Sequence, residues 1–164
     1  MSPRSAKSAL LAVVLASCAG LAIADELPAV FVNTQSGTID CEGRDVNLTA
    51  SNAVLTLTGN CKGVYFVGSA TKASIESAGL VQISVNDVHV TVRRPVDEVS
   101  IIGSHAEATF DKVGRLQLTG SDSRVQAGEI ATLNVIGSGN TVRWTSGSPR
   151  ISDVGSDNSL QPSH

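Results

Sequence analysis

Leu133-Asn134-Val135-Ile136-Gly137-Ser138-Gly139-Asn140-Thr141-Val142-Arg143-Trp144 is one unit of a pattern that fills most of the chain. Two apolar residues, Leu133 and Val135, alternate with polar Asn134. A glycine-rich corner follows, and then Val142 and Trp144 alternate around Arg143. Period-two alternation is the mark of a strand with one buried face. The unit recurs at a step of 17 or 18 residues. Ala50, Gly68, Val85, Gly103, Gly120, Gly137 and Gly155 mark equivalent corners. Four and two residues before each corner stand Val46/Leu48, Val64/Phe66, Val81/Ile83, Val99/Ile101, Leu116/Leu118, Leu133/Val135 and Ile151/Asp153. Five and seven residues after it stand Leu55/Leu57, Ala73/Ile75, Val90/Val92, Ala108/Phe110, Val125/Ala127 and Val142/Trp144. Asp153 alone breaks these apolar columns, in a chain that is 41% hydrophobic overall.

Seventeen residues are too few for a helix plus two strands, and no 3.6-residue pattern runs through the region. A β-sandwich gives no reason for the same residue type at the same offset rung after rung, whereas a coil stacked on itself does. The expected fold is therefore all-β, a small parallel β-solenoid of about seven rungs with 17–18 residues each. At about 4.8 Å per rung its length is roughly 34 Å. The first turn of each unit reads Gly103-Ser104, Gly120-Ser121-Asp122-Ser123, Gly137-Ser138-Gly139-Asn140 and Gly155-Ser156-Asp157-Asn158. Such residues suit a sharp corner, with Asn, Asp and Ser bonding back to local main chain. The second turn is looser and carries Gly63, Gly79, Pro95, Gly114, Gly128 and Gly147.

The N-terminus lies outside this grid. Arg4 and Lys7 precede an uncharged apolar run from Ala9 to Ala24, the order of an export signal over residues 1–24. Ala22-Ile23-Ala24 would release a mature chain at Asp25. Leu15-Ala16-Ser17-Cys18 resembles a lipobox, which would instead leave a lipidated Cys18 and a membrane anchor. Residues 25–44 are expected to form an N-terminal cap, 45–160 the repeat domain and 161–164 a disordered tail. The expected location is periplasmic or secreted. The whole chain carries a net charge of −3, and loss of Arg4 and Lys7 with the signal makes it −5. A chain with no basic footprint is not expected to bind nucleic acid.

Cys41 and Cys61 remain after signal cleavage. Neighbouring rungs about 4.8 Å apart suit a disulfide's usual Cα separation, and an exported compartment permits the bond. A structural disulfide clamping the first rungs is expected.

Repeated corners such as Gly137-Ser138-Gly139-Asn140-Thr141-Val142, the export signal and the Cys41/Cys61 pair together resemble a family of bacterial exported proteins described only as a domain of unknown function. The resemblance spans about Thr38 to Leu160, and the corners at Ala50, Gly68 and Val85 depart from its G-S-x-N pattern. It implies a secreted, periplasmic or lipid-anchored β-rich protein and supplies no active site to transfer.

The grid offers four kinds of candidate site. Asp87, His105, Asp122, Gly139 and Asp157 share one corner position, but Gly139 separates Asp122 from Asp157, and a hard cation needs six or more oxygens. His89 and His105 sit at different offsets, which does not suit zinc. Glu76, Arg93 and Asp111 form a row that reads as a surface ion-pair ladder. No catalytic or metal residues and no cofactor are expected. The outward column Asn47, Tyr65, Gln82, Ser100, Gln117, Asn134 and Ser152 carries no charge and is the possible binding face. The chain is thus expected to be a non-enzymatic structural or protein-interaction protein of the bacterial envelope, with an unidentified protein partner. The alternative is a polysaccharide-binding module using that Asn/Gln/Ser face. An enzyme acting on glycans ranks third and ice binding last.

Overall fold

The computed structural model describes residues 28–163. The export signal over 1–24 and the alternative lipidation site Cys18 lie outside the described residues. Twelve strands follow in order. They are β1 (Val30–Val32), β2 (Ser36–Asp40), β3 (Val46–Ser51), β4 (Val54–Ser69), β5 (Lys72–Asn86) and β6 (His89–Val92). Then come β7 (Val96–Ile102), β8 (Glu107–Thr119), β9 (Arg124–Ser138), β10 (Thr141–Ser146), β11 (Arg150–Ser156) and β12 (Ser159–Pro162). Every pairing among them is parallel. The chain is an all-β parallel solenoid of about eight turns.

Each turn has two faces. The front face stacks β1, β3, the second halves of β4 and β5, β7, the second halves of β8 and β9, and β11. The back face stacks β2, the first halves of β4 and β5, β6, the first halves of β8 and β9, β10 and β12. The repeat read in the sequence is the physical register: Val30 pairs with Val46, Val46 with Val64, Val64 with Val81, Val99 with Leu116, and Leu133 with Ile151. The turn beyond the seven expected is made by β1 and β2. These strands lie in residues read as a cap, and they join the same columns through Val30, Val32 and Ile39. At the other end β12 carries strand structure through Gln161 and Pro162, into the segment read as a tail.

Inward columns from both faces form one core. Val46, Val64, Val81, Val99, Leu116 and Leu133 are fully buried, as are Leu57, Ile75, Ile83, Ile101 and Leu118. Each such side chain contributes about 1.5–3 kcal/mol by leaving water. A further inward column lies at the second turn, where Cys61 pairs with Ala78, Val96 with Val113 and Val113 with Ile130. Cys41 and Cys61 are disulfide-bonded across the first rungs, with Cα atoms 4.9 Å apart. Their separation of 20 residues exceeds the repeat step. A bulge between Leu57 and Asn60 lies within the loop they close.

The Gly-Ser corners differ from the sequence expectation in a specific way. Asparagine there bonds to main chain of the neighbouring rung rather than to local main chain, while Ser123 does both, its Oγ donating to the local Ser121 carbonyl at 3.3 Å. Asn140 is fully buried; its Oδ1 accepts from the Ser123 N–H at 3.1 Å, and its Nδ2 donates to the Gly120 carbonyl at 2.9 Å. Asn158 repeats this one rung on, accepting from the Asn140 N–H at 3.0 Å and donating to the Gly137 carbonyl at 2.9 Å. Ser123 accepts from the Ala106 N–H at 3.2 Å. A polar ladder thus runs through the corner of an apolar core, with both backbone partners satisfied.

The glycine of the motif answers to the same geometry. A Cβ on Gly120 would lie 1.8 Å from the Gly103 carbonyl oxygen, and one on Gly137 would lie 1.9 Å from that of Gly120. Two residues on, Asn52, Ala70, Asp87, His105, Asp122 and Asp157 have φ between 48° and 57°. That left-handed region is where Asn, Asp and Gly cost least.

Candidate interaction face

The column of Asn47, Tyr65, Gln82, Ser100, Gln117, Asn134 and Ser152 is continuous in register along the front face. Phe31 extends it by one rung at the start, pairing with Asn47. No hydrogen bond within the described residues engages the side-chain amides of Gln82, Gln117 or Asn134. The stacked amides therefore do not close on one another, and they keep their donors and acceptors toward solvent.

Two more outward columns lie beside it on the side of the Gly-Ser corner, and neither is evident in the sequence; on its other side runs a column with Leu80, Glu98, Arg115, Thr132 and Arg150. Thr49, Val67, Ser84, Ile102, Thr119, Ile136 and Val154 form one. Ser51, Ser69 and Asn86 begin the other, which continues along the corner through Ser104, Ser121, Ser138 and Ser156. Ser69 Oγ lies 3.4 Å from Ser51 Oγ, and Ser138 Oγ lies 3.2 Å from Ser156 Oγ. Across the amide column and these two there is no Asp, Glu, Lys, Arg or His.

The middle column holds most of the large apolar side chains left in water. Val67, Ile102, Ile136 and Val154 are 55%, 46%, 46% and 62% exposed, and Phe31 beside them is 81% exposed. Of the other exposed large apolar residues, Val54 is on the back face and Ile151 is in the inward column of the last rung. The signal for this column was present in the sequence but concealed. Phe66-Val67, Ile101-Ile102 and Val135-Ile136 are adjacent apolar pairs, and only strict alternation from the corner shows that the second of each points outward.

Charge gathers on the back face and at the second turn. His89 Nε2 lies 2.8 Å from Glu107 Oε2, and Arg124 approaches the other oxygen of Glu107 at 3.6 Å, a ladder along one outward column. Lys112 pairs with Glu129 at 2.9 Å. In the row of Glu76, Arg93 and Asp111, it is Arg94 that reaches Glu76, at 3.3 Å, while the other Glu76 oxygen accepts from the Gly59 N–H at 3.1 Å. These exposed pairs contribute at most about 1 kcal/mol each. Asp87, His105, Asp122, Gly139 and Asp157 occupy the left-handed corner position, which accounts for their residue types by backbone conformation. Among the described residues no three His, Cys, Asp or Glu side chains group as a metal site.

The fold and this surface define a β-solenoid whose front face holds three adjacent uncharged columns, bordered on one side by a column with Glu98, Arg115 and Arg150, and whose back face is ion-paired. A family described as protein of unknown function (DUF3060) matches residues 101–157. That span holds the corners at Gly103, Gly120, Gly137 and Gly155, where the G-S motif and the buried polar ladder are best developed. The resemblance to a family of unknown function thus rests on these corners. No curated protein and no solved structure matches the chain.

Proposed function

We propose that the chain is a non-enzymatic, exported scaffold of the bacterial envelope that works by presenting its front face to a protein partner. The observation that carries this reading is the segregation of charge: three adjacent outward columns hold none, and exposed aliphatic side chains run down the middle one. Depletion of charge around apolar residues characterises the centres of protein interfaces, and an aliphatic strip of this length on an isolated surface marks a contact site. The Cys41–Cys61 disulfide agrees with an oxidising compartment. The test is crosslinking in the native envelope with three chains: the parental chain, Ile136→Lys on the front face, and Arg124→Glu on the back face. A front-face scaffold loses its crosslinked protein with Ile136→Lys and keeps it with Arg124→Glu. Equal recovery with both variants overturns the proposal.

A second reading, a polysaccharide-binding module, is supported by the unengaged amides of Gln82, Gln117 and Asn134. Replacing all three with Ala would then reduce retention on insoluble cell-wall or capsular polysaccharide while leaving protein crosslinking intact. Retention unchanged by the triple replacement removes this reading.

A further inference from the structure

We infer that the occupant of the front face is a second copy of this chain, packed face to face with its rungs running in the opposite direction. The inference rests on the reading of that face as a protein-contact surface and names the partner.

Consider a two-fold axis lying in the interface, parallel to the strands and halfway along the eight-turn rod. Such an axis keeps each column facing itself and sets each rung against the one counted from the opposite end. Along the middle column it places Thr49 against Ile136, Val67 against Thr119, and Ser84 against Ile102 of the second copy. Both isoleucines in these pairs meet a shorter hydroxyl residue, and Val67 meets a threonine of its own size. Facing sheets about 10 Å apart interdigitate in this way. The amide column behaves alike: exposed Phe31 meets small Ser152, and Asn47 meets Asn134, amide to amide. An axis along the rod instead would set Ile102 beside Ile102 and Ser84 beside Ser84, crowding some rungs and leaving voids at others.

The size also suits a dimer. Six rung steps and three columns span roughly 29 Å by 20 Å, so two copies cover roughly 1,200 Å² between them, the lower end of stable interfaces. With no charge in these columns, pairing them with themselves brings no like charges together, and Glu98, Arg115 and Arg150 in the next column out lie at the rim of the contact, where they stay in water.

Two measurements on the full-length chain, purified with its disulfide oxidised, test this. Sedimentation equilibrium should give twice the chain mass, and Ile102→Lys should weaken the dimer tenfold or more while leaving far-UV circular dichroism unchanged. Oxidation of the double variant Thr49→Cys/Ile136→Cys should give a covalent dimer beyond the level of the parental chain, because these positions are five rungs apart within one copy and can bond only between copies. Thr49→Cys alone should not. A parental chain that stays monomeric at about 100 µM overturns the inference, as does a single Cys variant that crosslinks as well as the double. If the chain is monomeric yet loses its envelope partner with Ile136→Lys, the scaffold reading stands and only the identity of the partner fails. Loss of both removes the scaffold reading as well.

Discussion

Replacing Gly137 with alanine should be among the most damaging single-methyl additions to this molecule, and Gly37→Ala supplies its reference. Both glycines lie at strongly positive φ, +131° and +152°, so alanine at either costs about 1–2 kcal/mol in backbone conformation. They differ in what the methyl group meets. At Gly37 nothing lies within 4 Å, whereas at Gly137 the Gly120 carbonyl oxygen would be 1.9 Å away. Cβ atoms essentially never approach a heavy atom within 3.0 Å, so the two rungs must part by about an ångström at this corner. That displacement strikes the Gly120 N–H bond to the Ile136 carbonyl and the Asn140 Nδ2 bond to the Gly120 carbonyl, both 2.9 Å. Two part-buried bonds weakened at about 1–1.5 kcal/mol each bring the expected loss to roughly 3–5 kcal/mol for Gly137→Ala, against 1–2 for Gly37→Ala. Entropy lost by the unfolded chain is the same for both replacements and cancels in the comparison. Trp144, the single tryptophan, is 95% buried on the adjoining back strand, so urea unfolding followed by its fluorescence reads the affected region. A Gly137→Ala variant within 1 kcal/mol of Gly37→Ala would refute the claim that rung contact, rather than conformation alone, selects glycine here.

Asn140→Ala should cost about 2–4 kcal/mol by the same urea assay, because it strips partners from the Ser123 N–H and the Gly120 carbonyl inside the core; a loss under 1 kcal/mol would mean water replaces the amide. Ala70 holds φ +48° at the corner position where other rungs place Asn, Asp, His or Gly, so Ala70→Asn should stabilise by about 0.5–1 kcal/mol, read as a rise in Tm. Asp153→Val should leave the fold intact yet produce concentration-dependent species larger than a dimer in light scattering, and their absence would show that the last rung is protected by other means.

The fold was largely legible because parallel stacking turns a spatial column into a sequence period. Val46, Val64, Val81 and Val99 are recognisable as one column from their spacing alone, and the same spacing placed Asn47 through Ser152 in one row. The first turn was not legible, because its corner lacks the motif and its strands β1 and β2 are only three and five residues long. The role of the corner asparagines was not legible either, since the sequence shows that Asn140 and Asn158 suit a bend but not that they reach a neighbouring rung. The two uncharged columns beside the Asn47 row were hidden for a different reason: Val67 and Ile102 look like core, and serines beside glycines look like ordinary turn residues.

Asp153 links these observations. It sits in the column of Leu48, Phe66, Ile83, Ile101, Leu118 and Val135, where every other rung buries an apolar side chain. In the last rung that column has no neighbour beyond it, and all of β11 is exposed. An inward carboxylate there would be ruinous in mid-stack; at the open edge it accepts from Asn158 Nδ2 at 2.8 Å and remains in water. The next rung of any added strand would have to bury this charge with only a neutral amide beside it, which costs several kcal/mol. Pro162, paired with Trp144 on the other face, removes a ladder donor from the same edge. The rod is thus closed to growth at its C-terminal end while its flat front keeps Val67, Ile102 and Ile136 in contact with solvent. Edge protection and face exposure are separate features of the same repeat. Their combination favours a dimer of defined size over a filament, because contact through the face saturates once two copies meet and contact through an unprotected edge would not.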